Sequence, residues 1–460
     1  MFILKSRFLR SCFIAMSCVG LLHAEEIAQN RKEDAPELIN QSVAVKFDET
    51  TGAITSIRNK SLDVDYTTGT PARSLFMLQY LDQTKKIPKN IWVPPGCLRN
   101  HTVKTVDGRQ TLVLDYIVPC KPEGNIKVQC RAWLETEGNE IRWDITVDNQ
   151  SEDVEIVEVR YPILGGLRIG PHSENNYLTW PHWGGGHLIH NPQNTGKYRH
   201  GEYPGGGAIM PWMDLYCSPE NSASGKSGPT CGLYFASYDS SLLLTQLEMI
   251  PAKDRKSLTL QTSKYAHIPG GEKWASAEFV TAIHAGDWHT AADSYRSWFN
   301  SWASPPDPPG WLKQCDGRLE LTMTAEPDFA TQLKDKFELA STFGLDFVRF
   351  GGQMIASIIG KRRCNRFPLP DPVTGSEEEF AQAVRAIRAE GGHPAFYING
   401  QAWDPRWPDM LPRYKGRIAS DVQIPDWNAG FSKNALKRFN DKYYEQYKRA
   451  LGHWPDPSIR

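Results

Sequence analysis

Strand-like runs follow one another from Val43 to His284, and from Trp311 onward strand and helix periods take turns. That switch constrains the fold more than any single motif in the chain. The first regime includes Val43–Phe47 and Ala53–Ile57 about a Gly52 turn, then Thr111–Val118, Ile126–Leu134, Glu140–Val147 and Val154–Tyr161. These runs alternate apolar and polar residues or are rich in β-branched and aromatic types. No helical period interrupts them, which predicts an antiparallel β-sandwich over residues 41–285. Trp212–Cys217, Cys231–Ser237, Leu242–Glu248 and Phe279–His284 extend the same pattern.

The change falls at Gly286. Trp288, Ala291, Ala292, Tyr295, Trp298 and Phe299 form a helical stripe, with Asp287 placed to cap it. Pro305-Pro306-Asp307-Pro308-Pro309-Gly310 then stops the helix and reads as a stiff linker, so residues 286–310 join two domains. Beyond it, Leu319, Leu321 and Met323 have strand spacing, and Phe329, Leu333, Phe337 and Ala340 have helix spacing. Asp346–Phe350 is a second strand. The sequence Ser376-Glu377-Glu378-Glu379 is a capping box for a second helix, and Ala395–Ile398 is a third strand. A third helix is expected around Leu436, Phe439, Tyr443, Tyr447 and Ala450.

The predicted architecture is therefore an antiparallel sandwich followed by an incomplete (β/α) barrel of the TIM type, with about three βα units over 311–460. Long loops after strands and short loops after helices suit such a barrel, whose sites form at the strands' C-terminal ends. A closed eight-fold barrel takes about 250 residues. Three parallel strands leave an open edge, so the expectation is the front part of a longer fold.

The stretch Ala395–Asp409, AFYINGQAWDPRWPD, carries the most chemistry. Indole faces stack on sugar C–H surfaces, and carboxylates bond hydroxyls. Trp403, Asp404 and Asp409 on this loop, with Arg349 and Gln353 after the second strand, are the candidate sugar contacts. Each has a structural alternative: Asp404 caps the turn before Pro405, Trp403 fills the barrel mouth, and Arg349 is paired inside the barrel. In Tyr177–His190, three glycines and Pro181 argue against a regular element. The spacing of His182, His187 and His190 matches no metal motif, so neither a metal nor a cofactor is expected.

The formal net charge of −1 with mixed signs argues against nucleic acid as a partner, and no later run is long enough to span a membrane. Lys5, Arg7 and Arg10 precede the apolar Cys12–Leu22, and Leu22-His23-Ala24 reads as a candidate cleavage site. Residues 1–24 thus read as an export signal, followed by a polar tether to residue 40. Export permits disulfides, and Cys217 with Cys231, and Cys120 with Cys130, bracket loops between strand-like runs. The alternative is that these cysteines are small buried apolar residues.

In order along the chain stand DETTGAITSI (Asp48–Ile57), WPHWGGG (Trp180–Gly186), YPGG (Tyr203–Gly206), WMDLY (Trp212–Tyr216), GLYFASYD (Gly232–Asp239), GDWHTAADSYRSW (Gly286–Trp298), FPLPDPVTG (Phe367–Gly375) and YINGQAWDPRWPD (Tyr397–Asp409). Together they resemble a bacterial family of exported, glycoside-hydrolase-like proteins whose domain has no assigned function. The resemblance implies a mutarotase-like β-sandwich and a (β/α)8 barrel similar to that of α-galactosidase-like glycosidases. In those enzymes the nucleophile and acid/base lie on later barrel strands. Glycoside hydrolysis usually needs two carboxyl groups, about 5–5.5 Å apart for retention or 6.5–9.5 Å for inversion. The expectation is a glycan-acting protein that lacks that pair, with an oligosaccharide or polysaccharide as partner. A carbohydrate-binding module without catalysis is the alternative.

Overall fold

In the computed structural model the chain divides into two compact units, Met1–Ser304 and Pro305–Arg460. The structure describes residues 35–68, 71–82, 88–120, 124–183, 185–204, 207–218, 229–323, 328–352 and 376–396. The export signal and the third helix expected over 436–450 lie outside the described residues.

Unit 1 begins with β1 (Glu37–Ile39), β2 (Val43–Phe47), β3 (Ile54–Asn59) and β4 (Val64–Asp65), which form one antiparallel sheet in that order. Next come β5 (Met77–Asp82), β6 (Pro88–Trp92), β7 (Leu98–Val106), β8 (Arg109–Pro119), β9 (Asn125–Glu135), β10 (Glu140–Asn149) and β11 (Val154–Leu167). They are followed by β12 (Asn176–Trp180), β13 (His187–His190), β14 (Arg199–Tyr203), β15 (Trp212–Cys217) and β16 (Cys231–Tyr238). The last are β17 (Thr245–Pro251), β18 (Leu258–Lys264), β19 (Lys273–Ala275) and β20 (Glu278–Ala285). A ten-stranded sheet runs β13-β12-β15-β16-β20-β10-β9-β8-β7, with β19 on β10, and a six-stranded sheet runs β14-β17-β18-β11-β5-β6.

Alternation explains why these sheets pack. On β9, Ile126, Val128, Cys130, Ala132 and Leu134 are buried while their neighbours face out. The inner faces of both large sheets share one core with Val43, Val45 and Phe47 of the first sheet. Tyr161 of β11 meets Phe279 of β20 edge-on at 5.8 Å, and its hydroxyl donates to the Arg131 carbonyl at 3.0 Å. The buried Trp143 indole donates to Thr281 Oγ1 at 3.0 Å. The β2–β3 turn carries Gly52 at φ +68°, where a side chain would also strike the Tyr116 hydroxyl.

Two expectations are corrected in this unit. Residues 37–39 are not tether: Leu38 is buried in the core, and β1 pairs with β2. Tyr177–His190 is largely regular, because β12 and β13 pair from Tyr177↔His190 to Trp180↔His187. Its proline and glycines are confined to the turn between them, which leaves the flanks free to alternate.

The helix α1 (Trp288–Trp302) is capped by Asp287, whose side chain accepts from the His289 amide at 3.1 Å. It packs Ala291 and Tyr295 onto the outer face of the ten-stranded sheet, against Trp212, Tyr234, Tyr238 and Ala282. It therefore counts with the sandwich rather than with the linker. This second cover explains why every residue of β15 and β16 is buried.

In unit 2, α2 (Gly310–Lys313) precedes β21 (Arg318–Met323), α3 (Phe329–Thr342), β22 (Phe347–Gly352), α4 (Glu377–Ala389) and β23 (His393–Phe396). The three strands are parallel in the order β21-β22-β23. Leu333, Phe337 and Ala340 of α3 and Ile387 of α4 bury against Val348 and Phe350. The α4 capping box is formed: the Ser376 hydroxyl and the Glu379 amide are bonded, and Glu379 reaches back to the Ser376 amide at 2.8 Å. Closure into a barrel lies outside the described residues.

Candidate functional site

Strand alternation sets the site's floor. On β15, Met213, Leu215 and Cys217 go to the core, so Trp212, Asp214 and Tyr216 take the outer face beneath α1. Thr179 of β12 stands directly opposite Asp214. A cavity of about 570 Å³ lies here, walled by Thr179, Trp180 and Trp212 from the sheet and by Trp288, Tyr295 and Phe299 from α1. The Trp180 and Trp212 indole nitrogens and Thr179 Oγ1 are buried without a hydrogen-bond partner. At the rim, Asp293 and Arg296 pair with each other at 2.9 Å.

The Asp214–His284 pair lies in the same face. Asp214 Oδ1 and His284 Nε2 are 2.9 Å apart, and both side chains are almost fully buried. His284 Nδ1 faces the Ala285 carbonyl at 3.2 Å, and that carbonyl only accepts. Nδ1 therefore carries a proton, and a second proton lies between Nε2 and the carboxyl. Burial pushes the Asp214 carboxyl up, against the opposing bond and charge of His284. Burial works to lower the His284 imidazole, but its bond and charge with Asp214 outweigh this and hold it above its ordinary value. Asp214 Oδ2 has no partner.

Gly232 of β16 gives the His284 ring its space. A Cβ there would lie 2.4 Å from both Cε1 and Nε2 of His284. Gly232→Ala is expected to cost about 1–3 kcal/mol by overpacking. It should also displace the imidazole from Asp214. Chemical unfolding measures the first effect, and a changed His284 ring resonance reports the second.

His187, at the cavity edge, and His182 are bonded to each other, Nε2 to Nδ1, at 3.1 Å, and His190 Nε2 contacts the Glu174 carbonyl at 2.7 Å. Among the described residues no group of three or more His, Cys, Asp or Glu is placed to hold a metal ion. A depression of about 420 Å³ over β8–β10 is lined by charges that pair with each other, Arg109 with Glu135 at 2.8 Å and Arg142 with Glu278 at 2.7 Å. On the outer face of the six-stranded sheet, the buried Glu248 carboxylate accepts from Tyr198, Gln246 and Gln261. That bonding satisfies it as a structural group.

Of the residues expected at a sugar site, only Arg349 is described; Gln353, Trp403, Asp404 and Asp409 lie outside the described residues. Arg349 on β22 stands opposite Glu320 on β21, on the sheet face away from α3 and α4, and its guanidinium bonds that carboxylate. The hydrogen bond from Arg349 holds the Glu320 carboxyl below its ordinary value.

The six described cysteines are free thiols. Cys120 and Cys130 do not make a bridge: Cys130 lies opposite Leu114, six residues along β8 from Cys120. At about 3.3 Å per residue that is roughly 20 Å, far beyond the ~7 Å limit for bridged Cα atoms. Cys217 and Cys231 face each other in register, at a spacing strand geometry makes compatible with a bridge.

The Asp214–His284 pair is invisible to motif reading because its members are 70 residues apart. One signal was available: Asp214 is a charged residue at an outward position of an otherwise apolar run, WMDLYC.

A family model described as a domain of unknown function (DUF6259) matches residues 274–424, from β19 through α1 and the linker into unit 2. No curated protein matches the chain. Among solved structures, the alpha-N-acetylgalactosaminidase NagBb from Bifidobacterium bifidum, in complex with GalNAc, aligns with TM-score 0.54 at 10% identity. The alignment covers 81% of this chain and 61% of that one. The chain resembles a glycoside hydrolase in fold. The same enzyme with Gal-NHAc-DNJ gives TM-score 0.53 at 10% identity over the same shares, 81% and 61%. An alpha-galactosidase from Lactobacillus brevis aligns at 9% identity over 92% of this chain and 63% of its own, with TM-score 0.39. The chain thus spans about three fifths of the length of the enzyme it matches. Among the described residues no helix is long and apolar enough to cross a membrane.

Proposed function

We propose that this is an exported, glycoside-hydrolase-like protein that acts on glycans. The observation that carries the reading is the fold, shared over 81% of the chain with an alpha-N-acetylgalactosaminidase. Its parallel βα unit is the kind of scaffold whose strand-end loops build sugar sites. Trp403, Asp404, Asp409, Gln353 and Arg349 are the proposed sugar contacts, with α-linked galactose or N-acetylgalactosamine glycans as the first substrates to test. A binding role without hydrolysis is the second reading, favoured by the aromatic cavity of unit 1.

The test runs two assays on the full chain. Aryl α-glycosides of galactose and N-acetylgalactosamine report hydrolysis, and affinity electrophoresis through a polysaccharide panel reports binding. Hydrolysis supports the first reading, and retardation without hydrolysis supports the second. No turnover and no retardation on any member would overturn both. Export is tested by fractionating expressing cells: the exported chain should begin near Glu25, and a cytoplasmic chain with an intact N-terminus contradicts it.

A further inference from the structure

We infer that the cavity between α1 and the outer face of the ten-stranded sheet is a saccharide-binding site in its own right. It goes beyond the proposed function, because it is built entirely from unit 1 and holds whether or not the protein hydrolyses anything.

The ligand class follows from the lining. Trp212, Trp288, Tyr295 and Phe299 offer flat apolar surface. Trp212 is nine-tenths or more buried, at 3% exposure, and keeps an indole N–H with no partner; Trp180 turns its ring to the opposite face, into the sandwich core. Thr179 adds a buried hydroxyl, also unpartnered. The volume, about 570 Å³, is within the range of small-ligand sites, about 300–1,000 Å³.

These features exclude two common occupants. An acyl chain would cover the aromatic surface but leave the Trp212 indole and the Thr179 hydroxyl unsatisfied. A phosphorylated ligand needs cationic donors, and the lining's Arg296 is already paired with Asp293. A neutral pyranose meets both demands: its C–H face stacks on the rings, and a hydroxyl oxygen accepts from the Trp212 indole while a hydroxyl donates to Thr179.

Trp143 supplies an internal control, since its indole already donates to Thr281. Tryptophan indoles of the full chain, labelled with ¹⁵N, are observed while galactose, N-acetylgalactosamine and glucose are titrated separately to millimolar concentration. At least one sugar should shift the Trp212 indole signal and leave that of Trp143 in place. Trp288→Ala should weaken this binding at least ten-fold. Trp212→Phe, which keeps a ring and loses the donor, should weaken it several-fold. If no sugar moves the Trp212 signal, the cavity holds only water and the inference is overturned. If a sugar binds the wild type and Trp212→Phe equally, the site lies elsewhere and the inference is again overturned. Should Trp288→Ala not fold, the wild-type titration and Trp212→Phe decide. Turnover of an aryl glycoside with no shift of the Trp212 indole would defeat this site alone and leave the proposed function standing.

Discussion

Lys264→Met is expected to lower the stability of unit 1 by about 3–5 kcal/mol, the usual consequence of stripping one partner from a buried ion pair. Lys264 ends β18 on its core-facing side and is 1% exposed, above the Phe279 ring at 5.9 Å. Its ammonium reaches Asp239 Oδ2 at 2.6 Å and also bonds Thr245 Oγ1. Burial works to raise the Asp239 carboxyl, but the charge and bond of Lys264, with help from Ser241, hold it below the ordinary carboxylate range. Asp239 is therefore ionised at neutral pH, and methionine would leave it buried without a counter-charge. Sign and size are checked by guanidinium unfolding. The double variant Lys264→Met/Asp239→Asn removes the stranded charge but keeps an acceptor for the Ser241 amide. It should be more stable than the sum of the two single changes requires. Strict additivity, or a cost below about 1 kcal/mol for Lys264→Met, would show that the pair is solvated rather than buried.

Local signals in this chain were legible where one element decided them. The β2–β3 hairpin could be read because alternation and a glycine turn agree. The α1 stripe and the Ser376 capping box follow from helical spacing alone. What could not be read was the partner of each surface. The aromatics of α1 fit a linker helix as well as a sandwich helix. The deciding fact is that Trp212, Tyr234 and Tyr238 share an outer face, and that depends on which strands are neighbours. The β12–β13 hairpin was hidden for a different reason: proline and glycines at its turn dominate a fourteen-residue window, although each strand is regular. For the site, the expectation rested on aromatic and acidic residues of a strand-end loop. The described cavity uses aromatics of β15 and α1, whereas the expected loop residues Trp403, Asp404 and Asp409 lie outside the described residues.

Asp214→Asn should reverse the pH dependence that His284 gives to stability. In the wild type both members of the pair take up protons more readily folded than unfolded, because Asp214 is raised by burial and His284 by its bond to Asp214. The Asp287 charge adds in the same direction. A raised group stabilises fully below its unfolded value and loses that contribution as pH rises through its folded one. His284 therefore contributes fully below about 6.5, its ordinary value, and stability declines as pH climbs above it. Asparagine keeps the shape and the hydrogen bond but supplies no charge. Burial then dominates, and the His284 value falls below 6.5. A lowered imidazole makes stability rise with pH just below 6.5, so the slope changes sign. At pH 6 the variant also loses a charge-assisted bond, a cost of about 1.5–3 kcal/mol. Unfolding midpoints from pH 5 to 8 for wild type, Asp214→Asn and His284→Gln separate the terms. His284→Gln should be flat across the window in which the other two slope oppositely. A wild-type slope that survives in His284→Gln would assign the proton to another group and remove the pair from the account. A shared slope in wild type and Asp214→Asn would mean that Asp214 does not hold the His284 proton, despite the 2.9 Å contact between them.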